Sequence, residues 1–288
     1  MKKHLVLLPV LALIASTLAC SLGNARATTP PPPEPLVFPT DTPPPPPPSD
    51  TPAPTFEGLP VSFAGTSFVI PDGLANGTAN EIVPESSGTD VPVWGVAPAY
   101  SKFTLQGYPL QDKFFQPQIF VYPAQEFAQM HEGAAATISN LHILLADPQK
   151  PLPAQLPFLP PFNAAQVFTA QPQILQFQNG SGIRYLTQFA QYPATANNHD
   201  LFYTFQGLTS DGATYVTAIL PVNAAFLAPD EKPDSPVPPD GIPLDQNNLE
   251  QYYASVVEKL NATAPDAFTP SLGQLDLLMQ SVRATGQQ

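Results

Sequence analysis

His131 and Glu132 begin the pattern His-Glu-x-x-His, which holds a catalytic zinc on one helix face with the glutamate as general base. Position 135 is Ala135, so the second ligand is missing and the zinc reading fails there. His142 lies about three turns further along the same expected helix, too far to share an ion with His131 unless another element contributes. Asn197-Asn198-His199-Asp200 is a dense polar cluster before an expected strand, and oxygen-rich loops of this kind suit Ca²⁺. Asp230, Glu231 and Asp234 invite the same idea. Asparagine and aspartate also build hydrogen-bonded turns unaided, and that is the role expected of both stretches. No metal site and no cofactor is therefore expected.

Acyl-transfer chemistry has little to work with. No Gly-x-Ser-x-Gly elbow occurs, and the glycine-flanked Ser181 falls in an expected hairpin tip, not between a strand and a helix. No glycine-rich phosphate loop carries a lysine, and no carboxylate pair shares an obvious face. A different chemistry suits the segment from Pro148 to Phe162, where Leu152, Leu156, Phe158, Leu159 and Phe162 alternate with prolines. Proline restrains the chain and removes backbone donors, so such a segment can present apolar groups to a ligand or partner at modest entropic cost. The competing reading folds these side chains back over the first helix or a sheet edge.

The first twenty residues say where this chemistry would operate. Lys2 and Lys3 precede an apolar run from Leu5 to Leu18, too short for a stable span, which ends at Ser16-Thr17-Leu18-Ala19-Cys20. This arrangement resembles the lipobox of bacterial lipoproteins. The resemblance implies a signal peptide over residues 1–19, acylation of Cys20, and a place outside the cytoplasm on the cell envelope. Thr17 departs from the leucine that the strongest lipobox carries there. An ordinary secretory leader cleaved after Ala27 is the alternative. Cys20 is the only cysteine, so its acylation would leave the fold without a disulfide.

Charge narrows the partners. The net charge is −13, and removing Lys2 and Lys3 leaves 8 basic against 23 acidic residues, or −15. A surface this acidic repels nucleic acid and anionic headgroups, so membrane contact is expected through the acyl chains on Cys20. Residues 20–55 are dominated by proline, including Pro43 to Pro48, and read as a disordered tether extended in polyproline II. An apolar ligand or an envelope protein remains as a possible partner of the body.

Residues 56–288 read as one α+β domain with a mainly antiparallel sheet and helices packed on it. Strands are expected over Val61 to Ile70, Val93 to Leu105 and Gln118 to Tyr122. Hairpins are expected around Asn179-Gly180-Ser181-Gly182 and around Thr209-Ser210-Asp211-Gly212. Helices are expected from Pro123 to Leu145, after Asp245, and from Pro270-Ser271, each with an apolar stripe; the loop from Pro229 to Asp245 reads as solvated. Ser67-Phe68-Val69-Ile70-Pro71, the stretch Tyr203 to Leu208 with Tyr215-Val216, and a closing helix with Leu275, Leu278, Ser281 and Val282 resemble PsbP-like proteins. That resemblance implies an α/β/α sandwich and binding or assembly more than catalysis. The expected function is an envelope-anchored lipoprotein with a non-catalytic binding or assembly domain. The alternative is an extracytoplasmic hydrolase whose site gathers residues distant in sequence.

Overall fold

The computed structural model describes residues 55–232 and 234–286. The expected signal peptide, Cys20 and nearly all of the expected tether lie outside the described residues. The chain divides into two units after Pro52, and all of the described strands and helices belong to the second.

Seven antiparallel strands form the main sheet. They are β3 (Gly77–Val83), β4 (Tyr100–Gln106), β5 (Gln118–Pro123), β6 (Ala165–Phe177), β7 (Gly180–Ala190), β8 (Phe202–Thr209) and β9 (Thr214–Pro221). Their order across the sheet is β3-β4-β5-β9-β8-β7-β6. All eight residues of β8 and all eight of β9 are buried, so the middle of the sheet is covered on both faces. Alternation divides the side chains. Tyr203, Phe205, Val216 and Ala218 enter one core, while Phe202, Leu208, Tyr215 and Ile219 enter the other.

The first core is closed by a small sheet and two helices. The small sheet contains β1 (Leu59–Phe63), β2 (Thr66–Ile70) and β12 (Arg283–Ala284). The helices are α3 (Leu249–Ala262) and α4 (Leu272–Gln280), and their stripes Tyr252, Val256, Leu260 and Leu272, Leu275, Leu278 are buried as their spacing requires. Asn248 and Ser271 cap the two helices by accepting from Gln251 N and Gln274 N. A short ladder of β10 (Asn223–Ala224) with β11 (Phe268–Thr269) ties the far loops together. Under α4, Arg184 is almost fully buried. Its Nε lies 3.2 Å from Asp276 Oδ1, its Nη2 donates to Gln173 Oε1 at 2.6 Å, and Tyr203 OH donates to Asp276 Oδ1 at 3.0 Å.

The second core is closed by α1 (Ala124–Met130), α2 (Glu132–Ala146) and the proline-rich segment after α2. One helix was expected here, and the chain makes two. His131 breaks it with extended backbone (φ −140°, ψ 110°), and its Nδ1 accepts from Ala134 N at 3.0 Å, capping α2. His131 is thus a helix cap, and His142 is an exposed residue of α2.

Other expectations are corrected by local chemistry. The strand expected from Val61 to Ile70 is the hairpin β1-β2, because Ala64 (φ 45°) and Gly65 (φ 75°) turn the chain in two residues. The strand expected over Val93 to Leu105 starts only at Tyr100 and runs to Gln106, and Val93–Gly95 winds into a 3₁₀ turn after Pro92. Strand β3 is largely exposed, so it lacks the alternation that would reveal it. The β8-β9 turn falls where expected, with Gly212 at φ 69°. The β6-β7 turn is tighter than expected. Phe177 pairs with Gly180, and Ser181 stands inside the strand. Gly180 and Gly182 lie there because the rings of Phe177 and Phe205 would clash with an added Cβ. Among the described residues no helix is long and apolar enough to cross a membrane.

Candidate ligand site beside the proline-rich segment

Gln206, fully buried in β8, fixes the proline-rich segment to the sheet. Leu159 N donates to Gln206 Oε1 at 2.9 Å, and Gln206 Nε2 returns toward Leu159 O at 3.2 Å. Thr217 Oγ1 also donates to Leu159 O at 2.9 Å, and Tyr185 OH donates to Pro157 O at 2.8 Å. A segment poor in backbone donors is thereby held by side chains of the sheet it covers. Burial makes deprotonation of Tyr185 and Tyr215 harder, so both phenols are held protonated and Tyr215 OH donates to Gln206 Oε1 at 2.6 Å.

The five apolar residues of the segment separate into two roles. Leu156 and Leu159 are buried in the second core, as a covering segment requires. Leu152 is exposed, and Phe158 and Phe162 are half-buried at the surface of that core. Leu152, Leu156, Phe158 and Phe162 line a groove of about 690 Å³ between the segment and α2, whereas Leu159 lies beneath it. A second cavity of about 440 Å³ lies beside the groove and shares the rings of Phe162 and Phe189 with it.

The second cavity is walled by aromatic rings. Phe115 stacks on Phe162 with centroids 5.1 Å apart and planes 9° from parallel. Phe114 meets Phe115 edge-on at 4.8 Å, and Phe162 meets Phe189 edge-on at 5.0 Å. These four rings come from the loop before β5, the proline-rich segment and the end of β7. Tyr192, exposed, stands at the rim. Such pairs favour edge-on and offset contacts, so the rings that line the cavity also hold one another in place.

The polar end of the cavity joins the two loops that the sequence offered separately. His199 Nδ1 lies 2.7 Å from Asp200 Oδ1 and 3.8 Å from Glu231 Oε2. The turn at Asn197 is hydrogen-bonded as expected, with Asp200 N donating to Asn197 Oδ1 at 2.9 Å and Asn197 Nδ2 donating to Asp200 Oδ2 at 3.0 Å. Asn198 then stitches the later loop to this turn. It takes Ala224 N at 2.8 Å and gives to Ala224 O and Leu227 O, while its own N–H reaches Ala228 O. That stitching brings Glu231 to His199, although this loop reads as solvated from sequence. Asp230 turns to Lys232 instead, at 2.9 Å, and the hydrogen bond from Lys232 holds its carboxyl below the usual range.

Lys113 completes the surroundings. Its ammonium donates to Asn198 O at 2.6 Å and to Asn223 Oδ1, and burial lowers its pKa against the opposing pull of Asp200. Phe114 N donates to His199 O at 3.0 Å, which seats the exposed ring beside the imidazole. His199, Asp200 and Glu231 offer one nitrogen and two oxygen donors within 4.8 Å of one another, a set that a divalent transition metal would accept. Among the described residues this is the one such grouping. No spacing rule could have found it, because three strands separate Glu231 from His199 along the chain.

Comparison with family models, with curated proteins and with solved structures finds no match.

Proposed function

We propose that this chain is an envelope-anchored lipoprotein whose folded unit binds a small, largely apolar ligand in the aromatic cavity and its adjoining groove. The observation that carries this reading is the run of rings Phe114, Phe115, Phe162 and Phe189 around about 440 Å³ of space. Cavities of this size and lining hold small molecules, with a few polar groups fixing orientation. The leader ending at Cys20 and the proline-rich residues after it support anchoring and display away from the membrane. The PsbP-like resemblance belongs to the same proposal, and helices on both faces of an antiparallel sheet are in keeping with it.

A hydrolase is the second reading, and the 2.7 Å His199–Asp200 pair favours it, since a carboxylate that orients an imidazole is half of a general-base device. Among the described residues the lining of the cavity supplies no serine, threonine or cysteine, so water would have to be the nucleophile.

Native mass spectrometry of the full chain recovered from envelopes tests the proposal. The expected spectrum shows an acylated Cys20 and a co-purifying small molecule that is lost in the Phe162→Ala/Phe189→Ala double variant. An unmodified start after Ala27 contradicts the anchoring. Wild-type and variant spectra that each show only the ligand-free mass of their own chain contradict the binding site.

A further inference from the structure

We infer that the ligand of the aromatic cavity is an organic cation, an ammonium group on an apolar body. This rests on the reading of the cavity as a binding site and names the class of molecule it takes.

The walls and the rim point the same way. The face of an aromatic ring carries negative potential, so rings around a cavity attract a cation while also taking up its apolar part. Two carboxylates, Asp200 and Glu231, line the same cavity. Among the described residues, their one basic side-chain partner within ion-pair distance is the imidazole of His199. The nearby lysines act on these carboxylates, Lys113 on Asp200 and Lys232 on Glu231, only from beyond ion-pair distance, because their ammonium groups are held by other partners. Lys232 is bound to Asp230, and Lys113 donates to Asn198 O and Asn223 Oδ1. An anionic ligand would meet two carboxylates, and a neutral one would cover them without supplying a counter-charge. A bare metal ion would use His199, Asp200 and Glu231 and leave four rings without a role. An organic cation uses both groups at once.

The protein builds the same trio elsewhere from its own side chains. Lys259 Nζ sits 4.6 Å from the centre of the Phe226 ring and 3.3 Å from Asp240 Oδ2. There ammonium, ring and carboxylate are all present. In the cavity the rings and carboxylates line one space, so the ammonium of such a trio would come from the ligand.

The test uses a cation and its uncharged carbon isostere, phenyltrimethylammonium and tert-butylbenzene, titrated calorimetrically into the full chain in lipid nanodiscs with empty nanodiscs subtracted. The cation is expected to bind about tenfold or more tighter than the isostere. Glu231→Gln, whose side chain has among the described residues no ion-pair partner closer than the 3.8 Å contact to His199, is expected to remove most of that preference, and Asp200→Asn is expected to do the same. Equal affinities for the two probes overturn the cation inference and leave the binding site standing. Binding of neither probe overturns both. Stoichiometric Zn²⁺ binding that blocks the cation and is abolished by Glu231→Gln assigns the donors to a metal and overturns the inference.

Discussion

The two faces of the central sheet handle charge in opposite ways. Beneath α4, the Arg184 side chain is 3 % exposed and Asp276 15 %, and every member of the network has its partner inside the fold. Across the sheet, at the mouth of the aromatic cavity, His199 and Glu231 are about one third exposed and their carboxylate–imidazole contact is a distant one. The first network ties β6, β7, β8 and α4 together. The second face spends its buried polar groups, Gln206 and Thr217, on holding the proline-rich segment, and leaves its charges at an opening. The contrast separates a structural face from one that is free to meet a ligand.

The largest expected effect shows how far the faces are joined. Tyr108 and Tyr203 on one face and Tyr122, Tyr185 and Tyr215 on the other all have pKa values raised by burial. A phenol with a raised folded-state pKa contributes stability that is intact below its unfolded value near 10 and falls as pH rises above it. Each tyrosine costs up to about 1.4 kcal/mol per pH unit there, so the five together cost at most about 7 kcal/mol per unit. Urea unfolding between pH 9 and 11.5 should show one cooperative collapse. Two separate alkaline transitions would mean that the faces unfold independently.

Next in size, Asp276→Asn strands the Arg184 charge in the first core. The expected loss is about 3–5 kcal/mol, read from the denaturation midpoint. Probe binding to the remaining folded protein should be unchanged. A parallel fall in binding would break the separation of the faces. A similar effect is expected from Gln206→Leu, which leaves both Leu159 N and Tyr215 OH without their acceptor and removes one bond to Leu159 O. The loss should be about 1–3 kcal/mol for each stranded group. Here binding should weaken as well, because the same segment lines both the groove and the cavity.

Much of the scaffold was legible because it follows simple periods. The stripes of α3 and α4 and the β8-β9 turn at Asp211-Gly212 lie where spacing puts them. Features decided by single residues were not legible. Ala64 taking a positive φ, the His131 imidazole accepting from Ala134 N, and an edge strand with no buried side predict nothing from pattern alone. The candidate site divides along the same line. Leucines and phenylalanines alternating with prolines marked the segment from Pro148 to Phe162. Its anchor, Gln206, looks from sequence like any polar residue in a strand. The meeting of Glu231 with His199 depends on Asn198 bonding to a loop more than twenty residues away, which no local rule contains.

Cation binding in the aromatic cavity is tested most sharply by a methyl-resolved NMR titration of the alanine-labelled full chain with phenyltrimethylammonium. Ala164, Ala190 and Ala194 line the cavity, while Ala170 and Ala218 lie in the opposite core. Shifts are expected to concentrate at the first three methyls, with near silence at the other two. Shifts centred on Ala170 and Ala218, or none at all at saturating probe, would contradict binding there.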